Sequence, residues 1–182
     1  MRLAPLAVAV ALVAAPAFAT LAPGAKAPDF STRGAIAGKV IPVHLADELK
    51  RGPVVLYFFP AAFTGGCNAE AHAFSDAVAD FHKAGASVIG MSTDDVGTLQ
   101  RFSTEKCAGQ FAVASAGPAV VKGYDVAFPK QITGPDGKLR AITSRTSYVI
   151  AADGRVSFVH SDMNPAEHVA LTLAAVRKLA GR

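Results

Sequence analysis

The run "PVVLYFFP", residues 53–60, is the strongest constraint in the chain. It is short, β-branched and aromatic, and it carries no polar residue at any position. A strand with one wet face alternates, whereas a continuous run of this length is a strand covered on both faces.

The elements around this strand repeat a pattern. Phe74, Val78 and Phe81 recur at helical spacing in the segment that follows, and Gly85 supplies a stop. "SVIGMS", Ser87 to Ser92, reads as a second buried strand, and Thr93 or Asp94 as the cap of a second helix. Strand, helix, strand, helix argues for parallel pairing through right-handed crossovers. Upstream, a short strand from Lys39 to Val43 precedes a helical turn from Ala46 to Lys50. Residues 20–37, rich in Ala, Pro and Gly without a period, read as a loose lead-in.

Downstream, "QFAVAS" suggests a strand and "PAVVKGYDV" a brief helix ending near Gly123, before a loop from Pro129 to Ser144. "RTSYVIAADGRVSFVHS" is a hairpin turning at Asp153-Gly154. The final segment has Asn164 as cap, Pro165 at the first helical position, Glu167 three after the cap and Gly181 past the end, which marks a terminal helix. This order predicts an α/β chain with a thioredoxin-like fold, a central mixed sheet flanked by helices.

The amino terminus, "MRLAPLAVAVALVAAPAFAT", has one charge at Arg2, an apolar run from Leu3 to Ala15, and Ala17-Phe18-Ala19 before Thr20. That is the layout of a secretory signal peptide cleaved after Ala19, so residues 20–182 form the mature domain, exported to what is expected to be a bacterial periplasm. The apolar run is too short, and too interrupted by proline, for a membrane anchor. With 182 residues, 51% of them hydrophobic, the chain supports one good core. A net charge of +4, scattered among acidic residues without interleaved aromatics, gives no nucleic-acid surface.

There are only two cysteines, Cys67 and Cys107. In an oxidising compartment two cysteines are by default a disulfide pair. "FTGGC" places Cys67 in the first turn of a helix, where free backbone N–H groups and the helix dipole favour thiolate. Moving a thiol pKa from about 8.5 to about 6 takes roughly 3.4 kcal/mol, more than the ~0.3–2 kcal/mol of a helix end, so a nearby cation is required. Gly65 and Gly66 open the backbone to a small substrate, Thr64 offers a hydroxyl that donates and accepts, and Pro60 presents an apolar wall. The same residues are also what a plain strand-to-helix turn with a buried cysteine requires.

Pro60, Thr64 and Cys67 reproduce the P-x-x-x-T-x-x-C motif of peroxiredoxins, and "PVVLYFFPAAFTGGCNAEAHAF" resembles the subgroup called bacterioferritin comigratory protein or peroxiredoxin Q. The similarity extends from about Ala27 to Leu179. It implies that Cys67 attacks the peroxide O–O bond, that Thr64 bonds thiolate and substrate, and that Pro60 shields them. It implies further that Arg145, in "SRTSYVI", is the required cation, and that Glu70 matches a family glutamate. Gly65 stands where many relatives have proline, and His72 where many carry the second cysteine, which excludes that subtype.

Cys107, placed at the end of the second helix on the border of its buried face, keeps three readings. It is a resolving cysteine as in some members of the subgroup, a packing residue of an enzyme resolved by an external thiol, or half of a static disulfide with Cys67. The resemblance implies a peroxidase acting on hydrogen peroxide and organic hydroperoxides, reduced by a thioredoxin-like or other dithiol partner, as a monomer or weak dimer. No cofactor is expected, and the five histidines include no metal-spaced pair with a cysteine. The competing reading is a non-catalytic thioredoxin-fold binding module with Cys67 and Cys107 bridged.

Overall fold

In a computed structural model that describes residues 20–134 and 137–181, the apolar run becomes β3 (Val54–Phe58), every residue of it buried. Its side chains alternate between two cores. Val55, Tyr57 and the following Phe59 enter one apolar cluster, while Val54, Leu56 and Phe58 enter the other. The proposed signal peptide and its cleavage point lie outside the described residues.

β3 pairs in parallel with β4 (Ser87–Ser92) and antiparallel with β8 (Thr146–Ile150). β4 pairs in parallel with β5 (Ala112–Ser115), and β8 pairs antiparallel with β9 (Val156–Ser161). β1 (Ser31–Ile36) and β2 (Lys39–His44) complete a mixed seven-stranded sheet of order β2-β1-β5-β4-β3-β8-β9. On one face pack α2 (Gly65–Lys83), α3 (Val96–Glu105) and α5 (His168–Leu179), through Phe74, Val78, Phe81, Leu99, Phe102 and Val176. The opposite face is closed by Phe30, Leu45 and Tyr124, with the short α1 (Leu45–Leu49) and α4 (Pro118–Gly123) nearby. This is the mixed sheet with flanking helices of a thioredoxin-like domain.

Several expectations are corrected. The lead-in is not loose: β1 lies between β2 and β5, and Ala35 is fully buried. Its pattern went unread because Ser31, Thr32 and Arg33 supply no apolar alternation. The loop from Pro129 to Ser144 contains a two-stranded ribbon, β6 (Ala127–Thr133) with β7 (Leu139–Thr143). α3 is capped by Asp95, whose carboxylate accepts from the Thr98 N–H at 2.9 Å, rather than by Thr93 or Asp94. α5 starts at His168 and not at Pro165. Asn164 accepts from the Ala166 N–H at 3.1 Å, which closes a local turn ahead of the helix. Among the described residues no helix is long and apolar enough to cross a membrane.

Candidate active site

Cys67 sits in the first turn of α2, at the carboxyl end of β3, and is 1% exposed. The residues just before it, Thr64, Gly65 and Gly66, are exposed, so the approach to the sulfur runs across them. Pro60 is buried at the strand end. Thr64 is the N-cap residue, yet its hydroxyl donates to the Ala61 carbonyl at 3.0 Å instead of accepting from the helix. The helix therefore leaves the hydroxyl's lone pairs unused.

Arg145 begins β8's approach to the sheet and is 4% exposed. Its Nη2 lies 3.6 Å from Cys67 Sγ, across 78 positions of sequence. The guanidinium is fixed on its other edges: Nη1 donates to Glu70 Oε2, and Nε donates to the Met163 carbonyl at 2.9 Å. The Arg145 backbone N–H also meets Met163 Sδ at 3.4 Å. A side chain at Gly66 would put its Cβ 3.2 Å from Arg145 Nη2, so glycine leaves the room the cation occupies. A Cβ at Gly65 would meet nothing within 4 Å, and this first helical position accepts proline without cost.

Behind the arginine lies a buried polar group that sequence reading did not find. His168 is fully buried; its Nε2 lies 2.9 Å from the Asp162 carbonyl and its Nδ1 2.8 Å from Ser147 Oγ. A carbonyl only accepts, so Nε2 carries the proton and Nδ1 accepts from the Ser147 hydroxyl. Nδ1 stands 3.8 Å from Glu70 Oε1, an oxygen without a hydrogen-bond partner. Histidine inside an apolar helix face looks like any core position in sequence, and only the fold brings it beside Glu70.

Burial pushes the Glu70 carboxyl up to about 7 from 4.5, against the pull of Arg145. Burial also pushes His168 down to about 4 from 6.5, with the charges of His160 and Arg145 assisting. The stability that Glu70 contributes is complete below pH 4.5 and is lost as pH rises to about 7. The contribution of His168 has the opposite sign: complete above pH 6.5, lost as pH falls toward about 4. Between pH 4.5 and 6.5 the two slopes oppose each other, each up to about 1.4 kcal/mol per pH unit. Urea unfolding across that window is expected to show stability rising with pH in Glu70→Gln and falling in His168→Gln, relative to the parent protein. Slopes of the same sign in both variants would refute the assignment.

Cys107 lies in the turn just beyond α3, not within the helix, and is completely buried in the same apolar cluster as Cys67. Both thiols are free. Ser75 Oγ donates to the Cys107 carbonyl at 2.8 Å, tying that turn to α2. Burial pushes the Cys107 thiol up to about 12, so in this conformation it is no nucleophile. Among the described residues no group of three or more potential ligands is placed to hold a metal ion.

A thiol in a helix's first turn, against a buried arginine on a thioredoxin-like sheet, defines the class of cysteine-based redox proteins, and comparison with known proteins narrows it. Residues 23–159 match the AhpC/TSA family. Peroxiredoxin Q of rice (Oryza sativa subsp. japonica), a chloroplastic protein, is 31% identical over 157 residues, 86% of this chain and 67% of that protein. The Arabidopsis thaliana peroxiredoxin Q is 35% identical over the same length. Among solved structures, the peroxidoxin BcpB of Mycobacterium tuberculosis superposes with a TM-score of 0.75 at 31% identity, covering 87% of this chain and 98% of that one. Xanthomonas campestris peroxiredoxin Q gives 0.67 at 26% identity, with 81% and 90% covered.

The chain belongs to the AhpC/TSA family, in its bacterioferritin comigratory protein or peroxiredoxin Q group. It is a thiol-dependent peroxidase, and the binding-module alternative is not favoured.

Proposed function

We propose that Cys67 is the peroxidatic residue and that it reduces hydrogen peroxide and organic hydroperoxides in an exported enzyme. The Cys67 thiolate attacks one peroxide oxygen; an S–O bond forms as the O–O bond breaks. The second oxygen takes a proton and leaves as water or an alcohol, and Cys67 becomes a sulfenic acid. The observation that carries this reading is the Arg145 guanidinium, buried, 3.6 Å from Cys67 Sγ and held on its far edge by Glu70. A fixed cation at that distance stabilises the thiolate and the negative charge that develops on the departing oxygen.

The other residues fit around that step. Thr64, with its donor engaged on Ala61, has lone pairs to receive a hydroperoxide O–H. Pro60 excludes water from behind the sulfur, and Gly66 admits both substrate and guanidinium. Cys107 serves as the resolving thiol: its S–H condenses with the Cys67 sulfenic acid to give a disulfide and water. A thioredoxin-like dithiol of the same compartment then restores both thiols, and the enzyme works as a monomer or weak dimer in a periplasm after cleavage behind Ala19.

The direct test is chemical. The reduced Cys107→Ser protein, in which no resolving thiol competes, given one equivalent of peroxide with a sulfenic-acid-specific probe present, is expected to take up a single label at Cys67. A Cys67 that stays unlabelled while peroxide is consumed would overturn the assignment.

A further inference from the structure

The loop that carries Thr64 toward Cys67 is held from outside α2 by a chain of polar contacts. Asp94, 3% exposed, follows β4 and turns its carboxylate toward this loop. Oδ2 accepts from the Ala62 backbone N–H at 2.7 Å and from Ser92 Oγ at 2.9 Å. Oδ1 accepts from Arg140 Nη1 at 3.0 Å, and Arg140 belongs to β7 of the two-stranded ribbon.

Two further bonds bring the same ribbon strand to this place. Thr143 Oγ1 donates to the Phe59 carbonyl at 2.9 Å, and Thr93 Oγ1 donates to the Ala141 carbonyl at 2.8 Å. Phe63, between Ala62 and Thr64, has φ of 65°, the left-handed region that phenylalanine rarely occupies and that its surroundings must hold. Arg101 lies over the Phe63 ring, 5.5 Å from its centroid.

We propose that Arg140 is a positioning residue for the peroxide step, acting through Asp94 and the Ala62 N–H to hold residues 59–64 in the conformation that presents Thr64 and Cys67 to substrate. A carboxylate taken out of water is a firm acceptor only while its charge is paired. Arg140 supplies that pairing from a separate two-stranded unit, so the ribbon, which contributes nothing to the seven-stranded sheet, bears on the geometry of the active-site loop. The same hold sets how readily the loop lets go, which Cys67 requires in order to meet a buried Cys107. That last consequence rests on the resolving role proposed above, whereas the positioning role does not.

The test compares the full reduced protein with Arg140→Ala and Arg140→Lys. Hydrogen exchange is read over residues 59–70, alongside the rate of sulfenic acid formation and the rate of disulfide appearance. In Arg140→Ala, exchange over 59–70 is expected to accelerate about tenfold, with β4 and β8 unchanged, and the peroxide step to slow by a similar factor. Arg140→Lys is expected to recover most of both, because a cation again stands beside Asp94. Unchanged exchange, or acceleration spread evenly through the sheet, would overturn the positioning role. If exchange and peroxide rate behave as expected but no Cys67–Cys107 disulfide forms even in the parent protein, the positioning role stands and the resolving role of Cys107 falls.

Discussion

Arg145→Ala is expected to slow sulfenic acid formation at Cys67 by about 10²–10³, the loss seen when one buried donor to a developing charge is removed. The variant removes more than that donor. Glu70, 1% exposed, loses its partner and is left as a buried carboxyl with Oε1 already unsatisfied. Breaking a buried pair from one side costs roughly 3–5 kcal/mol where the carboxyl is ionised, so above pH 7 the protein is also expected to melt at a lower temperature. The double variant Arg145→Ala/Glu70→Gln separates the two effects. Neutralising the orphaned carboxyl restores much of the stability and none of the rate. Stopped-flow measurement of peroxide consumption beside thermal unfolding reads both quantities. A single variant that retains the parent rate would show that another group stabilises the thiolate.

The second large effect concerns Cys107. Cys107→Ser is expected to leave the peroxide step at its parent rate, to abolish the intramolecular disulfide, and to let the Cys67 sulfenic acid accumulate. Because the site is apolar and sealed, a serine hydroxyl there costs stability of its own, and Cys107→Ala serves as the control. Turnover with a dithiol reductant is followed by non-reducing electrophoresis and probe labelling. Parent-like turnover in both variants would make Cys107 a packing residue and pass resolution to an external thiol. The thiol's push up to about 12 means that resolution, if it occurs through Cys107, starts with exposure of that turn.

What could be read before the fold was known follows from where the signal was carried. "PVVLYFFP" announced a two-sided strand because burial on both faces leaves no polar position, and β3 is buried throughout. The helix of Phe74, Val78 and Phe81 was equally plain because one buried stripe repeats over several turns. β1 was invisible, since its outward residues are polar or small and its order comes from β2 and β5 on either side. In sequence the ribbon β6–β7 looks like loop because most of the residues of β6 are exposed and Pro129 interrupts it. Its pairing is backbone chemistry that side-chain patterning does not record.

The site divides in the same way. Cys67, Thr64 and Pro60 are near neighbours and could be found as a motif. The need for a cation followed from energetics, but its location at Arg145 came from family resemblance, because no local rule links positions 78 apart. His168 and Ser147 had no signal: each is a single polar residue whose partner is supplied by another element. The sequence offers Thr93 or Asp94 as the helix cap, whereas the helix uses Asp95 and leaves Asp94 to the active-site loop.

α2 joins two kinds of attachment along one rod. From Ala71 to Phe81 its inner face is set into the core, with Phe74 stacked on Tyr57 at 4.2 Å between ring centroids. The turn holding Cys67 is fastened by the contacts of Arg145 and by the buried sulfur itself, while its outer residues Gly65 and Gly66 bury no side chain. If Cys67 is resolved by Cys107 as proposed above, the first turn is the part of α2 that opens, and the turns from Ala71 onward serve as a fixed post. On the proposed cycle the movement is then confined to two ends, this turn of α2 and the turn of Cys107, and the long inner stretch of the helix is left in place.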